Sequence, residues 1–238
     1  MPPSTRIRSS APLNRAQYSV ISATVSRQAQ LRLRHWPAAR RAVREAESKG
    51  IATAPRLAYR AIIWRLQQGC HSVLDVGTGL MHSLEESRCA VRLGLDAHRP
   101  YLEQRRVPEA VPVNASALSL ESLFVPGAVD LVTMIDVIEH FEKDDAFELL
   151  RQSEGVARRR VALFTPRGHF PQGGYDAFEL GGEELQRHRS SWEPEELAER
   201  GYRVIVMEGM HGPWNASFVE AFGPDAEPVD ALVAWRDA

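Results

Sequence analysis

The sequence predicts an α/β protein with a mostly parallel sheet covered by helices on both faces. Three observations carry this. In residues 72–80, Val73, Leu74 and Val76 form a short apolar run with a β-branched bias, which Gly77 and Gly79 then break. Residues 129–135 are apolar almost throughout, as a parallel strand buried on both faces must be. From about residue 56 onward, strand, helix and loop segments alternate to the C-terminus without an internal repeat. At 238 residues, one domain with a sizeable core is expected over 51–238, preceded by a basic extension over 1–50.

Composition narrows the class. The chain is 44% hydrophobic and 25% charged, with a formal net charge of −2, so nothing draws it as a whole toward nucleic acid or an anionic membrane. No apolar run approaches the roughly 18 residues that span a bilayer. Cys70 and Cys89 make neither a disulfide framework nor a metal spacing, and a reducing cytoplasmic setting is expected. No acidic or histidine cluster at ligand spacing is visible, so no metal is expected.

The first 44 residues contain no Asp or Glu and nine arginines. Met1 to Asn14, rich in Pro, Ser and Arg, reads as disordered. From Gln17 to Ser48 the spacing of Val20, Ile21, Val25, Leu31, Leu33 and Trp36 allows helices, with Pro37 as an interruption. Three roles fit this arm: an organellar transit peptide, a grip on nucleic acid or anionic lipid, or a solvated, partly helical extension that covers the cofactor site or substrate mouth.

The main domain starts with an amphipathic helix, Arg56 to Gln68, which places Leu57, Ala61, Trp64 and Ile62 on one face and ends at Gly69. The strand at Val73 follows, then the glycine turn, then a helix over Met81 to Ala90. Glycines at such a turn let the backbone approach a ligand with no Cβ in the way. A dinucleotide fingerprint would need a third glycine at position 82, which is His82. Asp75, two residues before the first glycine, suits a cofactor with a cationic amino-acid end better than one bearing phosphates.

The second strand, Ala90 to Leu95, ends in Asp96, 21 residues after Asp75. That is about the spacing at which a carboxylate closes a βαβ unit onto a ribose; the alternative is a cap on the next helix. Residues 111–114 form a short third strand. The strand at Val129 ends in polar groups at Asp136, Glu139 and His140, which belong at the ligand crevice of an open sheet. A helix over Asp144 to Glu154 turns Phe147, Leu149 and Leu150 inward and stops at Gly155. The fifth strand, Arg160 to Phe164, leads into a polar stretch of 25 residues, Arg167 to Ser191, long enough to be a substrate lid. A short helix from Pro194 to Arg200 and strands at Tyr202 to Met207 and Ala231 to Trp235 complete the chain.

Four of these strings, in this order, resemble the motifs of class I S-adenosylmethionine-dependent methyltransferases across roughly residues 56–236. Asp75-x-Gly77-x-Gly79 resembles motif I, although that family often has a third glycine where Met81 stands. Gly94-Leu95-Asp96-Ala97 is similar to motif II. Asn114 to Leu120 occupies the place of the adenine-binding turn, with Ser116 and Ala117 on its Asp-Ala; the missing carboxylate removes charge assistance there. Residues 129–141 resemble motif IV, with Asp136-Val137-Ile138-Glu139-His140 as its turn. The patterns at Thr165 to Gln172 and Gln186 to Trp192 resemble a bacterial subgroup of the same methyltransferases.

The resemblance implies a Rossmann-like, seven-stranded sheet with an antiparallel last strand and S-adenosyl-L-methionine as cofactor. It places Asp75, Gly77, Thr78, Gly79, Asp96, Ala97, Ser116, Ala117, Ile135 and Asp136 around that cofactor, and His140 near its methyl group. His140 equally suits a cap or a buried hydrogen bond, while His169 and His188 suit either the acceptor pocket or a surface loop. The acceptor expected first is a small molecule, lipid or sugar. RNA comes second, because the Pro-Pro turn with which many nucleic-acid methyltransferases hold a flipped base is absent. A non-catalytic subunit with the same fold is the alternative of a different class.

Overall fold

The computed structural model describes residues 33–174, 176 and 178–238. Readings that fall on residues 1–32 therefore lie outside the described residues. The described chain opens with helix α1, residues 33–49, which buries Ala39, Ala42, Val43 and Ala46. That i, i+3, i+4, i+7 spacing is one face of a helix, and its small side chains allow close approach to the domain. Arg34, Arg40, Arg41 and Arg44 stay exposed. Pro37 does not interrupt α1. It sits one turn into the described part, where the missing N–H bond would have reached only to residue 33.

Strand β1 (Ile51–Pro55) follows; its sequence of small residues carries too little apolar signal to be read as a strand. The next helix, α2 (Tyr59–Leu66), begins with a 3-10 turn at Arg56–Ala58. Its buried face is Ala58, Ala61, Ile62 and Leu66, whereas Leu57 is exposed; the 3-10 turn rotates Leu57 off the stripe expected of a continuous helix. Trp64 packs edge-on against Trp36 of α1, with ring centroids 5.5 Å apart.

Then come β2 (Ser72–Val76), α3 (His82–Glu85), β3 (Val91–Asp96), α4 (Arg99–Glu103) and β4 (Val111–Asn114). Helix α3 is one turn rather than the expected ten residues. The Gln67 side chain accepts from the Arg88 N–H at 2.7 Å and from Ser87 Oγ at 3.3 Å, drawing the chain out of the helix. After α5 (Leu120–Leu123) and β5 (Val129–Ile135), α6 (Lys143–Val156) runs through Gly155 directly into β6 (Ala157–Pro166). Gly155 stays helical and its carbonyl accepts from Gly127 N at 3.0 Å, so it ends nothing. Helix α7 (Pro194–Glu199), β7 (Arg203–His211), α8 (Ala216–Phe222) and β8 (Val229–Asp237) complete the order. Only α8 and β1 among the longer elements lack a counterpart in the sequence reading.

The eight strands lie in the order β1-β7-β8-β6-β5-β2-β3-β4. Strand β8 is antiparallel to both neighbours and every other pairing is parallel. This is the Rossmann-like sheet expected, enlarged by β1 on the β7 edge. Two apolar layers cover its faces: α1 and α2 on one side, and α6, α7 and the fully buried Trp192 on the other. Strand β2 pairs with β3 on one side and β5 on the other, so the chain reverses direction of winding at its carboxyl end, where a ligand crevice forms. Among the described residues no helix is long and apolar enough to cross a membrane.

Candidate functional site

The turn after β2 is shaped by three left-handed residues: Gly77 (φ 65°), Gly79 (φ 52°) and Met81 (φ 65°). Glycine is needed at 77 for a second reason, since a Cβ there would lie 2.7 Å from Val137 Cγ2. Met81 occupies the position where the resembling family often has its third glycine, and it holds a glycine conformation despite its side chain. That strain, of order 1 kcal/mol, is met by complete burial of the side chain against Gly94.

Asp75 is 2% exposed and accepts from Thr78 Oγ1 at 2.7 Å, from Thr133 Oγ1 at 2.6 Å and from Ser83 Oγ. It thereby ties the glycine turn to α3 and β5. Burial pushes its pKa up, and the three hydroxyls oppose the shift. Asp96 braces the same turn from β3: Oδ2 accepts from Gly79 N at 2.8 Å and Oδ1 from His98 N at 2.7 Å. Asn114 Nδ2 donates to the carbonyls of Asp96 and Ala97 at 2.9 and 3.0 Å. Ser116 caps the following 3-10 turn, with Leu118 N donating to its Oγ at 3.3 Å.

Across the crevice, Asp136 holds φ 54° and donates its N–H to the Phe164 carbonyl at 2.9 Å. The tight turn that follows carries Glu139 and His140 back over the end of β5. Glu139 is 2% exposed; its Oε2 accepts from Thr165 Oγ1 at 2.9 Å, while Oε1 is buried without a partner among the described residues. The Glu139 carbonyl accepts from Arg189 N at 2.7 Å and Ser190 N at 3.1 Å. Those two bonds clamp the long loop after β6 onto the turn, and they bring His188 to His140 with ring centroids 5.0 Å apart.

The two imidazoles are oriented alike. His140 Nδ1 faces the Arg187 carbonyl at 3.3 Å, and His188 Nδ1 faces the Phe170 carbonyl at 2.8 Å. A carbonyl only accepts, so both rings carry the proton on Nδ1 and keep a lone pair on Nε2. Burial keeps both neutral: it lowers the His140 pKa, and with help from neighbouring His140 it takes His188 down to about 4. Burial also raises the Glu139 carboxyl, and partial desolvation in the crevice together with repulsion from Glu139 raises that of Asp136, whose side chain is exposed to the cavity. Glu139, His140 and His188 each offer a ligand atom, all within 4.8 Å of one another. The sequence showed no such cluster, because His188 joins the other two only through the loop clamp. One buried carboxylate and two imidazole lone pairs are a donor set for a divalent cation.

The loop over residues 167–191 covers the crevice. Phe178 packs on the glycine turn, where a Cβ on Gly79 would lie 3.1 Å from its ring, and stacks edge-on with Tyr101 at 5.0 Å. Gln186 Nε2 donates to the Tyr101 hydroxyl at 2.6 Å, and His98 Nε2 donates to the Leu180 carbonyl at 2.8 Å. Under this loop lies one cavity of about 580 Å³. Every residue assigned to the cofactor from the sequence lines it, as do His140 and His188. His169, the other loop histidine singled out, is exposed and does not, because its neighbour Phe170 takes the inward position. Sequence reasoning missed Tyr101, Phe178, Gln186, His211 and Asn215, which also line the cavity. No short-range pattern links these residues; only the loop path and the end of β7 do.

No family model matches the chain, and no curated protein matches it. Solved structures do. A SAM-dependent methyltransferase from Archaeoglobus fulgidus superposes with a TM-score of 0.48 at 17% identity, over 77% of this chain and 95% of that one. The methyltransferase domain of a bacterial Hen1 gives 0.49 at 18%, over 75% and 96%. The plantazolicin methyltransferase BamL gives 0.46 at 11%, over 73% and 79%. At such identities and scores these are likenesses, and the function has to be argued from the site.

Proposed function

We propose that the chain is an S-adenosylmethionine-dependent methyltransferase that methylates oxygen or nitrogen on a small molecule, lipid or sugar. The observation that carries this reading is the union, in one cavity, of the glycine turn with its two carboxylates and the neutral histidine pair. The cofactor would supply a methyl group on a sulfonium centre, already activated for in-line displacement, so the protein's task is alignment. Asp96 and Ala97, at the end of β3, would hold the cofactor's ribose, Ser116 and Ala117 would border its adenine, and Ile135 and Asp136 its amino-acid end. Asp75 acts through the hydroxyls it gathers, since both of its oxygens already accept from them.

His140 supports the chemistry on the acceptor. Its Nδ1 faces the Arg187 carbonyl, and Nε2 would take the proton from an acceptor hydroxyl as that oxygen attacks the methyl carbon. His188 stands beside it with the same polarity. Phe178 and the rest of the covering loop exclude water from the reacting centre. The test is an acceptor screen in which release of S-adenosylhomocysteine is read with wild type and His140→Gln. Turnover by wild type that falls about 100-fold or more in the variant supports the base; equal rates would remove it.

One observation favours a cation-assisted form of the same reaction: Glu139, which clusters with His140 and His188, has its Oε1 buried without a partner among the described residues. Glu139, His140 and His188 would hold the ion, which as a Lewis acid would acidify an acceptor hydroxyl. Loss of turnover on chelation, restored by added divalent cation, separates this form from the metal-free one. An RNA acceptor is the second substrate reading. The exposed arginines of α1 would then make binding steeply salt-dependent, and removal of residues 1–44 would abolish it.

A further inference from the structure

His211 ends β7 in the cavity wall and is 8% exposed. Its protonation pattern follows from the residue that caps the next helix. Asn215 Oδ1 accepts from Ser217 N at 3.0 Å, Ser217 Oγ at 2.7 Å and Phe218 N at 3.3 Å. These donors fix the orientation of the amide, because the NH2 end could not satisfy them. Asn215 Nδ2 must then face His211, where it lies 3.3 Å from Nδ1. An amide nitrogen only donates, so His211 Nδ1 accepts. Burial, reinforced by His188, lowers the pKa of His211 to about 4, so the ring is neutral and its one proton sits on Nε2.

That N–H is buried and has no acceptor among the described residues. A buried donor left unpaired costs about 1–3 kcal/mol, and aromatic rings take up much of the neighbourhood. His211 is flanked by the rings of Phe170 at 5.4 Å and Phe164 at 5.9 Å, and Phe218 and Phe222 back Phe170. The nearby Ser217 hydroxyl is already committed to Asn215. A water needs two to four polar partners; an oxygen carried on a larger, partly apolar molecule needs only this one.

Resting on the reading of the cavity as the seat of a methyl acceptor, we infer that His211, locked in its Nε2–H form by Asn215, selects acceptors that present a hydrogen-bond-accepting oxygen to this wall. A carbonyl, ether or carboxylate oxygen fits; an ammonium or amide N–H at the same place faces a second donor and is rejected. His211 is thus a positioning and specificity residue, distinct from His140 and His188, whose Nε2 atoms carry lone pairs.

The test uses the full chain with 15N-labelled histidine and reads ring nitrogens by NMR, with N,N-dimethylacetamide as a probe that accepts but cannot donate. Wild type is expected to show His211 protonated on Nε2 and a saturable shift of that resonance as the probe is added. Asn215→Asp keeps a good helix cap but offers only an acceptor to Nδ1, so the proton moves to Nδ1 and probe binding weakens at least tenfold. Should that variant not fold, His211→Phe takes its place, and probe-induced changes at His188 must then disappear. A wild-type ring protonated on Nδ1, no saturable shift in wild type, or undiminished probe binding in the variant overturns the inference. No step of this test involves the sulfonium cofactor, so its failure and failure of the methyltransferase reading are separate results.

Discussion

Gly77→Ala puts the geometry of the glycine turn to a quantitative test. The residue holds φ 65°, a conformation that costs an L side chain roughly 1–2 kcal/mol. The new methyl would also lie 2.7 Å from Val137 Cγ2 and 3.2 Å from Cγ1. Val137 is 3% exposed and β-branched, so it has no free rotamer to move into, and such overpacking costs about 1–3 kcal/mol. The sum is about 2–5 kcal/mol, which for a chain of this size lowers Tm by roughly 4–20 °C. Urea denaturation read by circular dichroism measures it. Gly50→Ala is the control, because Gly50 holds φ 85° with nothing within 4 Å of an added Cβ. Adding Val137→Ala to Gly77→Ala isolates the contact term, since the pair should couple by about 1 kcal/mol or more. If Gly77→Ala costs no more than Gly50→Ala and shows no coupling to residue 137, the described turn geometry is wrong.

Further outcomes follow from the same site. Glu139 has a folded-state pKa raised to about 7, so between its unfolded value and pH 7 the native state binds the extra proton and stability falls as pH rises. In a chelator-containing buffer, Glu139→Gln should flatten that slope, by an amount on the order of 3 kcal/mol across the window; an unchanged slope from pH 5 to 8 refutes the burial of an ionisable Glu139. The His140 pKa lies below its usual value, so activity toward a hydroxyl acceptor should stay flat through neutrality and fall only below about pH 6.5. A fall centred above pH 7 would contradict a neutral base. Tyr101→Phe removes the Gln186 bond to the loop, worth about 1 kcal/mol, and should speed proteolytic nicking within residues 167–191 several-fold without changing Tm much. Unaltered nicking would mean that this bond does not hold the loop.

Much of this was legible in the sequence because it rests on local patterns. The strands at Val73 and Val129 are apolar runs with glycine or acidic punctuation, and the 21-residue step from Asp75 to Asp96 is a property of one βαβ unit. What escaped depends on tertiary contact. Strand β1 is four small or β-branched residues and a proline, and only pairing with β7 makes it a strand. Helix α3 stops early because Gln67, some 20 residues away, captures the chain at Arg88. The cluster of Glu139, His140 and His188 is likewise a product of a long-range contact, the clamp of Arg189 and Ser190, whereas the tautomer of His211 turns on the local geometry of the cap at Asn215, four residues on. Residue types alone announce neither.

The reading stands or falls on whether the crevice at the ends of β2 and β3 binds a sulfonium nucleoside. Calorimetric titration with S-adenosylhomocysteine tests it directly, on wild type and Asp96→Ala, with circular dichroism confirming that both are folded. Saturable one-to-one binding to wild type is expected, weakened at least tenfold by loss of a carboxylate whose hydrogen bonds contribute about 1.5–3 kcal/mol. Folded wild type that takes up no S-adenosylhomocysteine would contradict it, and the chain would then be a methyltransferase-like fold serving as a partner subunit.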